Sequence, residues 1–139
     1  MKDYEPGDAA KYAFRSPVTV DAPSPTGEVR TVSATGGEKG VKPQQLHQVP
    51  TEFLLALAEH YAIGNAKYPD PEIGRPNWTR GYEWSKSFDA LCRHLFAMWG
   101  GEWIDPETGS PHIIAVAWHA ATLYTFQLKE LGVDDRPVY

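Results

Sequence analysis

The run Ser110-Pro111-His112-Ile113-Ile114-Ala115-Val116-Ala117-Trp118-His119-Ala120-Ala121-Thr122-Leu123-Tyr124-Thr125-Phe126-Gln127-Leu128-Lys129-Glu130-Leu131-Gly132 carries the longest helical signal in the chain. Ser110 offers a hydroxyl N-cap, Pro111 suits a first helical position where no N–H is needed, and Gly132 suits the left-handed turn that often ends a helix. A helix is therefore predicted from Pro111 to Leu131. Apolar residues cover nearly all of its circumference: Ile113, Ile114, Val116, Ala117, Trp118, Ala120, Ala121, Leu123, Tyr124, Phe126 and Leu128. Such a helix belongs in the middle of a bundle or between subunits. The exceptions, His112, Ala115, His119 and Thr122, recur at i, i+3, i+7 and i+10 and share one face. An unpaired buried polar group costs about 1–3 kcal/mol, so this stripe needs partners, either structural ones or a ligand.

Upstream, a second helix opens at Ser85 or Ser87 and ends at Gly100-Gly101. It carries Phe88, Leu91, Cys92, Leu95, Phe96 and Trp99 at i, i+3, i+4, i+7, i+8 and i+11, the clearest amphipathic stripe in the sequence. A first helix is predicted from Pro50, with Phe53, Leu54, Leu57, Ala58 and Tyr61 inward, weakened at Gly64 and Asn65 and stopped by Pro69 and Pro71. Between these two helices, Lys67 to Trp84 is rich in proline, glycine and aromatic residues, and a loop this long in a compact domain usually serves function. Residues 1–45 lack a helical period and read as an irregular arm, with a β-hairpin of Pro17–Val20 and Glu28–Val32 around Ser24-Pro25-Thr26-Gly27. The expected fold class is all-α: a small helical bundle over residues 46–139 behind that arm.

Composition narrows the function. The chain has 139 residues, of which 42% are hydrophobic and 22% charged, as in ordinary soluble domains. With the arm set aside, the helical part is small enough that self-association as a dimer or tetramer is expected. A net charge of −5 argues against a broad surface for duplex nucleic acid. No apolar run is long enough to span a membrane, and Met1-Lys2-Asp3-Tyr4-Glu5 lacks a signal-peptide core, so a cytoplasmic location is expected. A single cysteine, Cys92, excludes an intramolecular disulfide and a cysteine-based zinc cage.

Four groups of residues carry chemistry. Glu102, Asp105 and Glu107 fall within six residues before the last helix. Oxygen ligands at that density suit Mg²⁺ or Mn²⁺, while the plainer reading is that acids favour the positive end of a helix dipole. Asp89 and Arg93 stand at i, i+4, which makes either a surface ion pair or, with Lys67, Arg75 and Arg80, a set of cations for a polyphosphate. Tyr68, Trp78 and Trp84 offer faces on which a base could stack. Thr35-Gly36-Gly37-Glu38-Lys39-Gly40-Val41-Lys42 is either a flexible linker or a loop whose amides approach a ligand closely.

Beyond these readings, the chain from Thr35 to about Leu128 resembles the phage and bacterial dATP/dGTP diphosphohydrolase family, the MazZ-like branch related to the all-α MazG and HisE pyrophosphohydrolases. The resemblance rests on Thr35–Lys42, Gly64-Asn65-Ala66-Lys67-Tyr68, Asn77-Trp78, Leu91-Cys92-Arg93-His94-Leu95, Gly101–Gly109 and Pro111-His112. It implies a helical oligomeric enzyme, in the host cytoplasm if phage-encoded, that uses Mg²⁺ or Mn²⁺ to split a purine deoxynucleoside triphosphate into monophosphate and pyrophosphate. Carried over by position, it makes Glu102 and Asp105 metal ligands, with His94, Glu107 and His112 beside them as catalytic groups. Lys39, Lys42, Lys67 and Arg93 become phosphate contacts, and Asn77 with Trp78 base contacts. The chain departs from the family pattern at His47, where an Asp is usual, at Ala115, where a histidine is usual, and at His119, where an Asn is usual. A rival histidine-aspartate phosphohydrolase needs adjacent His-Asp ligands, and no such dipeptide occurs. The other reading, from a different class, is a nucleotide-binding or scaffolding oligomer without turnover.

Overall fold

The computed structural model describes residues 29–138, and the chain divides between Val49 and Pro50 into two units. The first contains β1 (Val29–Val32), β2 (Glu38–Val41) and a 3-10 turn at Leu46–Gln48. The strands pair antiparallel, with Val29 opposite Val41 and Val32 opposite Glu38. Their turn is closed by Gly36 N–H donating to Ser33 O at 2.9 Å and Ser33 N–H to Gly37 O at 2.9 Å. Gly36 has φ +84°, a left-handed value that closes a short hairpin loop and that glycine adopts without steric cost.

A hairpin stands near the N-terminus, as expected, and the glycine-rich stretch forms part of it. Val29–Val32 is a strand, but its partner is Glu38–Val41, inside the glycine-rich stretch read as an open loop. Ala34-Thr35-Gly36 supplies the turn, and Pro17–Val20 with Ser24–Gly27 lies outside the described residues.

The second unit contains α1 (Thr51–Lys67), α2 (Trp84–Trp99) and α3 (His112–Lys129), with a 3-10 turn at Asn77–Arg80 before α2. Both α1 and α2 pack on α3, which is the central helix, as its all-round apolarity requires. The protein is thus a small helical bundle with a two-stranded hairpin on its N-terminal side. Among the described residues, no helix is long and apolar enough to cross a membrane.

Helix ends differ from expectation by a few residues, for local reasons. α1 continues through Gly64 and Asn65 to Lys67. α2 starts at Trp84 rather than after a serine N-cap, because the residues after α3 hold its first turn. Trp84 N–H donates to Val133 O at 3.0 Å, Val133 N–H to Tyr82 O at 3.2 Å, and Trp84 Nε1 to Leu131 O at 2.9 Å. Asp135 then accepts from Ser85 N–H at 2.9 Å and does the N-capping work expected of a serine. α3 stops at Lys129, where Glu130 itself takes the left-handed conformation at φ +53° ahead of Gly132.

The main departure concerns which faces are inside. The buried apolar residues are Ile114, Ala115 and Phe126, while Phe88, Phe96 and Trp99 of the α2 stripe are exposed, Trp99 at 86%. On α1, Leu54 and Leu55 are exposed and His60 is the buried residue. On α2 the buried residue is Ser87. The helices turn polar and small residues toward one another because they enclose a cavity, not a solid apolar core.

Candidate active site

A cavity of about 680 Å³ lies within the helical unit. Each helix presents one stripe to it: His60, Gly64 and Lys67 from α1; Ser87, Ala90, His94 and Ala97 from α2; His112 and His119 from α3. The spacings are multiples of the helical period, so a single face of each helix makes the wall. Loop residues complete it, with Asn77 and Trp78 on one side and Asp105, Glu107 and Thr108 on another.

Three of the predicted residues form a line of hydrogen bonds. Glu102 Oε1 lies 2.8 Å from His112 Nε2, and His112 Nδ1 lies 2.8 Å from His94 Nδ1. With the Glu102 carboxylate accepting the His112 Nε2 proton, His112 Nδ1 keeps its lone pair and accepts the proton on His94 Nδ1. His94 Nε2 is then the unprotonated nitrogen. Burial, helped by Arg93 and by the cost of a second proton beside His112, holds His94 below the ordinary histidine pKa against the opposing pull of Asp105. A neutral imidazole backed by a carboxylate is suited to take a proton from water.

The acidic loop is built around Asp105. Its Oδ1 accepts from Glu107 N–H at 3.1 Å and its Oδ2 from Thr108 Oγ1 at 2.7 Å. Its backbone pairs with the loop's far end, N–H to Ser110 O at 2.9 Å and C=O to Gly109 N–H at 2.8 Å. Burial alone would raise the Asp105 carboxyl, but these bonds and the neighbouring His94 and His112 bring it below its usual value. Asp105 therefore both shapes the loop and sets an ionised carboxylate in the cavity wall.

The predicted cations separate. Lys67 lines the cavity and pairs with Glu107, and Arg93 also lines it. Among the described residues no Asp89–Arg93 ion pair forms. Lys39 lies on β2 opposite Thr31 and Lys42 just beyond it, both in the other unit. His47 is also in that unit, in the 3-10 turn, while Ala115 is fully buried and His119 is part of the wall. Arg80 is engaged by Asp70, with Nη2 donating to Oδ1 at 2.9 Å, and Asn77 Nδ2 donates to Asp70 Oδ2 at 2.8 Å. Asn77 thus braces the aromatic loop while Trp78 faces the cavity.

Among the described residues no three His, Cys, Asp or Glu donors converge as a cage for a metal ion. Mg²⁺ seldom uses such a cage, since it is commonly held by one or two carboxylates plus substrate phosphates. Asp105 and Glu107 line the cavity and offer that hard-oxygen chemistry, whereas Glu102 does not line it and serves His112. The residues present therefore fit a hard cation held by one or two carboxylates rather than by a full cage.

A family model described as dATP/dGTP diphosphohydrolase, N-terminal, matches residues 33–136. The chain belongs to the dATP/dGTP diphosphohydrolase family. No curated protein and no solved structure gives a significant match. For a diphosphohydrolase the wall has a further element that the sequence did not single out. Tyr82 hydroxyl and Ser87 Oγ are 2.7 Å apart, and Ser87 Oγ is 3.3 Å from His119 Nδ1. His60, Ser87, Tyr82 and Trp118 also line the cavity, and no motif in the sequence marks them. The signal for His60 was present in the His60-Gly64-Lys67 spacing, a polar and small stripe like the one noticed on α3.

Proposed function

We propose that the chain hydrolyses dATP and dGTP to the monophosphate and pyrophosphate in this cavity, with Mg²⁺ or Mn²⁺ bound beside the triphosphate. The observation that carries this reading is the Glu102–His112–His94 line, which ends beside a cavity that also holds carboxylates, cations and aromatic faces. His94 Nε2 takes a proton from the attacking water, and the resulting imidazolium is stabilised through His112 by the Glu102 carboxylate. Lys67, Lys86 and Arg93 line the wall and bind the phosphates, orienting the α-phosphorus toward that water. Asp105 and Glu107 would hold the cation, whose chemistry when bound is to neutralise charge on the departing pyrophosphate. Trp78 and Trp118 provide the flat apolar wall against which the base packs.

Self-association belongs to the same proposal, because large apolar side chains on α1 and α2 are left exposed. The test is incubation of the protein with dGTP or dATP and Mn²⁺, with products separated by ion-exchange chromatography. Monophosphate and pyrophosphate in equal amounts are expected. Triphosphate that is bound but unchanged would replace the enzyme with the non-catalytic nucleotide-binding oligomer.

A further inference from the structure

His60 is the buried histidine of α1, 9% exposed, and it lines the cavity beside Trp118, with ring centroids 6.3 Å apart. Its Nδ1 is enclosed and has no hydrogen-bond partner among the described residues. Because His60 lines the cavity, Nε2 is left as the ring nitrogen through which it would meet a ligand. In most histidines the hydrogen bond at one nitrogen decides which nitrogen carries the proton. At His60 Nδ1 no such bond is made among the described residues, so the tautomer is left open. Burial, with the cost of sharing positive charge with His94, lowers its pKa despite Asp105, and the ring is neutral near pH 7.

The neighbouring wall is aromatic. Tyr61, Trp78 and Trp118 pack together with centroids 5.6–6.5 Å apart, and the indoles of Trp78 and Trp118 line the cavity. His60 stands 6.3 Å from Trp118, so a purine packed on that indole would bring its edge toward His60. Adenine and guanine both offer N7 as an acceptor, but at the 6-position adenine offers an N–H donor and guanine a carbonyl acceptor. A fixed donor, such as an indole or guanidinium, would leave one of the two bases with an unpaired buried polar group and select against it.

We infer that His60 reads the 6-position of the purine and, by moving its own proton between Nδ1 and Nε2, accepts adenine and guanine alike. With guanine, Nε2–H donates to O6 and Nδ1 keeps its lone pair. With adenine, the N6 amino group donates to the Nε2 lone pair and the proton sits on Nδ1. In both forms one unpaired atom remains at Nδ1, so the two complexes differ little in cost. This rests on the proposed hydrolysis of both nucleotides and names the group that makes one cavity serve two bases.

The experiment is NMR of protein labelled with ¹⁵N-histidine, recording two-bond proton–nitrogen correlations of His60 with α,β-methylene dGTP and with α,β-methylene dATP. The expected result is protonated Nε2 with the guanine analogue and protonated Nδ1 with the adenine analogue. The same tautomer with both, or a His60 signal that neither analogue moves, overturns the inference. A kinetic arm compares dATP, dGTP and the triphosphate of unsubstituted purine deoxyriboside. His60→Leu should remove about tenfold of the kcat/KM advantage that dATP and dGTP hold over the unsubstituted nucleotide. His60→Gln, whose amide can turn either its oxygen or its NH₂ to the base, should restore most of that advantage. An equal fall for all three substrates overturns the inference. If the wild-type protein hydrolyses dATP and dGTP while His60 fails both tests, the inference alone is lost; if it hydrolyses neither, the proposed function falls and takes the inference with it.

Discussion

His119 shows how the cavity sets the state of single side chains. Burial, reinforced by the His94, His60 and Arg93 charges, lowers its pKa from 6.5 to about 4. The unfolded chain takes up this proton near pH 6.5, whereas the folded protein resists it until about pH 4. Stability from this group is therefore complete above pH 6.5 and declines as pH falls toward 4, by roughly 1–3 kcal/mol. Urea unfolding at pH 7 and pH 5 should show that loss, and His119→Asn should flatten it. The acidic limb of kcat/KM for dGTP should fall below the ordinary histidine range, since His94 is also held neutral. Glu102→Gln removes the charge that backs His112, so kcat should drop by roughly a hundredfold. The Glu102 side chain is 57% exposed, so the melting temperature should barely change. Full activity in that variant would reduce Glu102 to a helix-dipole role. Asp105→Asn should differ, because both carboxylate oxygens accept loop bonds and an amide offers one acceptor. A stability loss of about 1–2 kcal/mol should accompany its loss of activity.

At the scale of elements, α2 depends on the residues that follow α3. Gly81 and Gly132 cross where the two chain segments meet, with φ +77° and +73°. A Cβ on Gly132 would stand 2.2 Å from Tyr82 O, and one on Gly81 would stand 2.3 Å from Gly132 N. Both neighbours are backbone and cannot step aside like a flexible side chain. Gly132→Ala should therefore cost about 2–4 kcal/mol, as strain in the left-handed region adds to the clash. Equilibrium urea unfolding measures this, and an unchanged midpoint would mean that the crossing is looser than its geometry. Asp135→Ala should also lower the melting midpoint, because Ser85 N–H loses its cap.

The helical unit places polar side chains around its cavity and leaves large apolar residues exposed. Phe96 is 70% exposed, Trp99 86% and Trp103 67%. Burying apolar area is worth about 25 cal/mol per Å², so this arrangement favours a second copy of the chain. Light scattering at micromolar concentration should give a mass above one chain, and Trp99→Asp should shift it toward the monomer. A monomeric mass for the unaltered protein would overturn the proposal.

The sequence by itself determined the three helices, the central place of α3 and the family. α3 is apolar on every side, and Gly100-Gly101 and Ser110-Pro111 mark ends by local backbone chemistry. The polar stripe of His112, Ala115, His119 and Thr122 was equally legible, since helical period alone puts those positions on one face. Which face of α1 and α2 turns inward was not legible. An apolar stripe points to whatever covers it, and a sequence does not say whether that is the same chain or another. The pairing of β1 with β2 depended on the turn at Gly36, a matter of local conformation that spacing along the chain does not specify. Only the tertiary structure joined Glu102 to His112 and His94 and set Asp105 within its loop. Those arrangements need distances of a few ångströms between side chains on different elements, and spacing along the chain fixes a face but not the depth at which two faces meet.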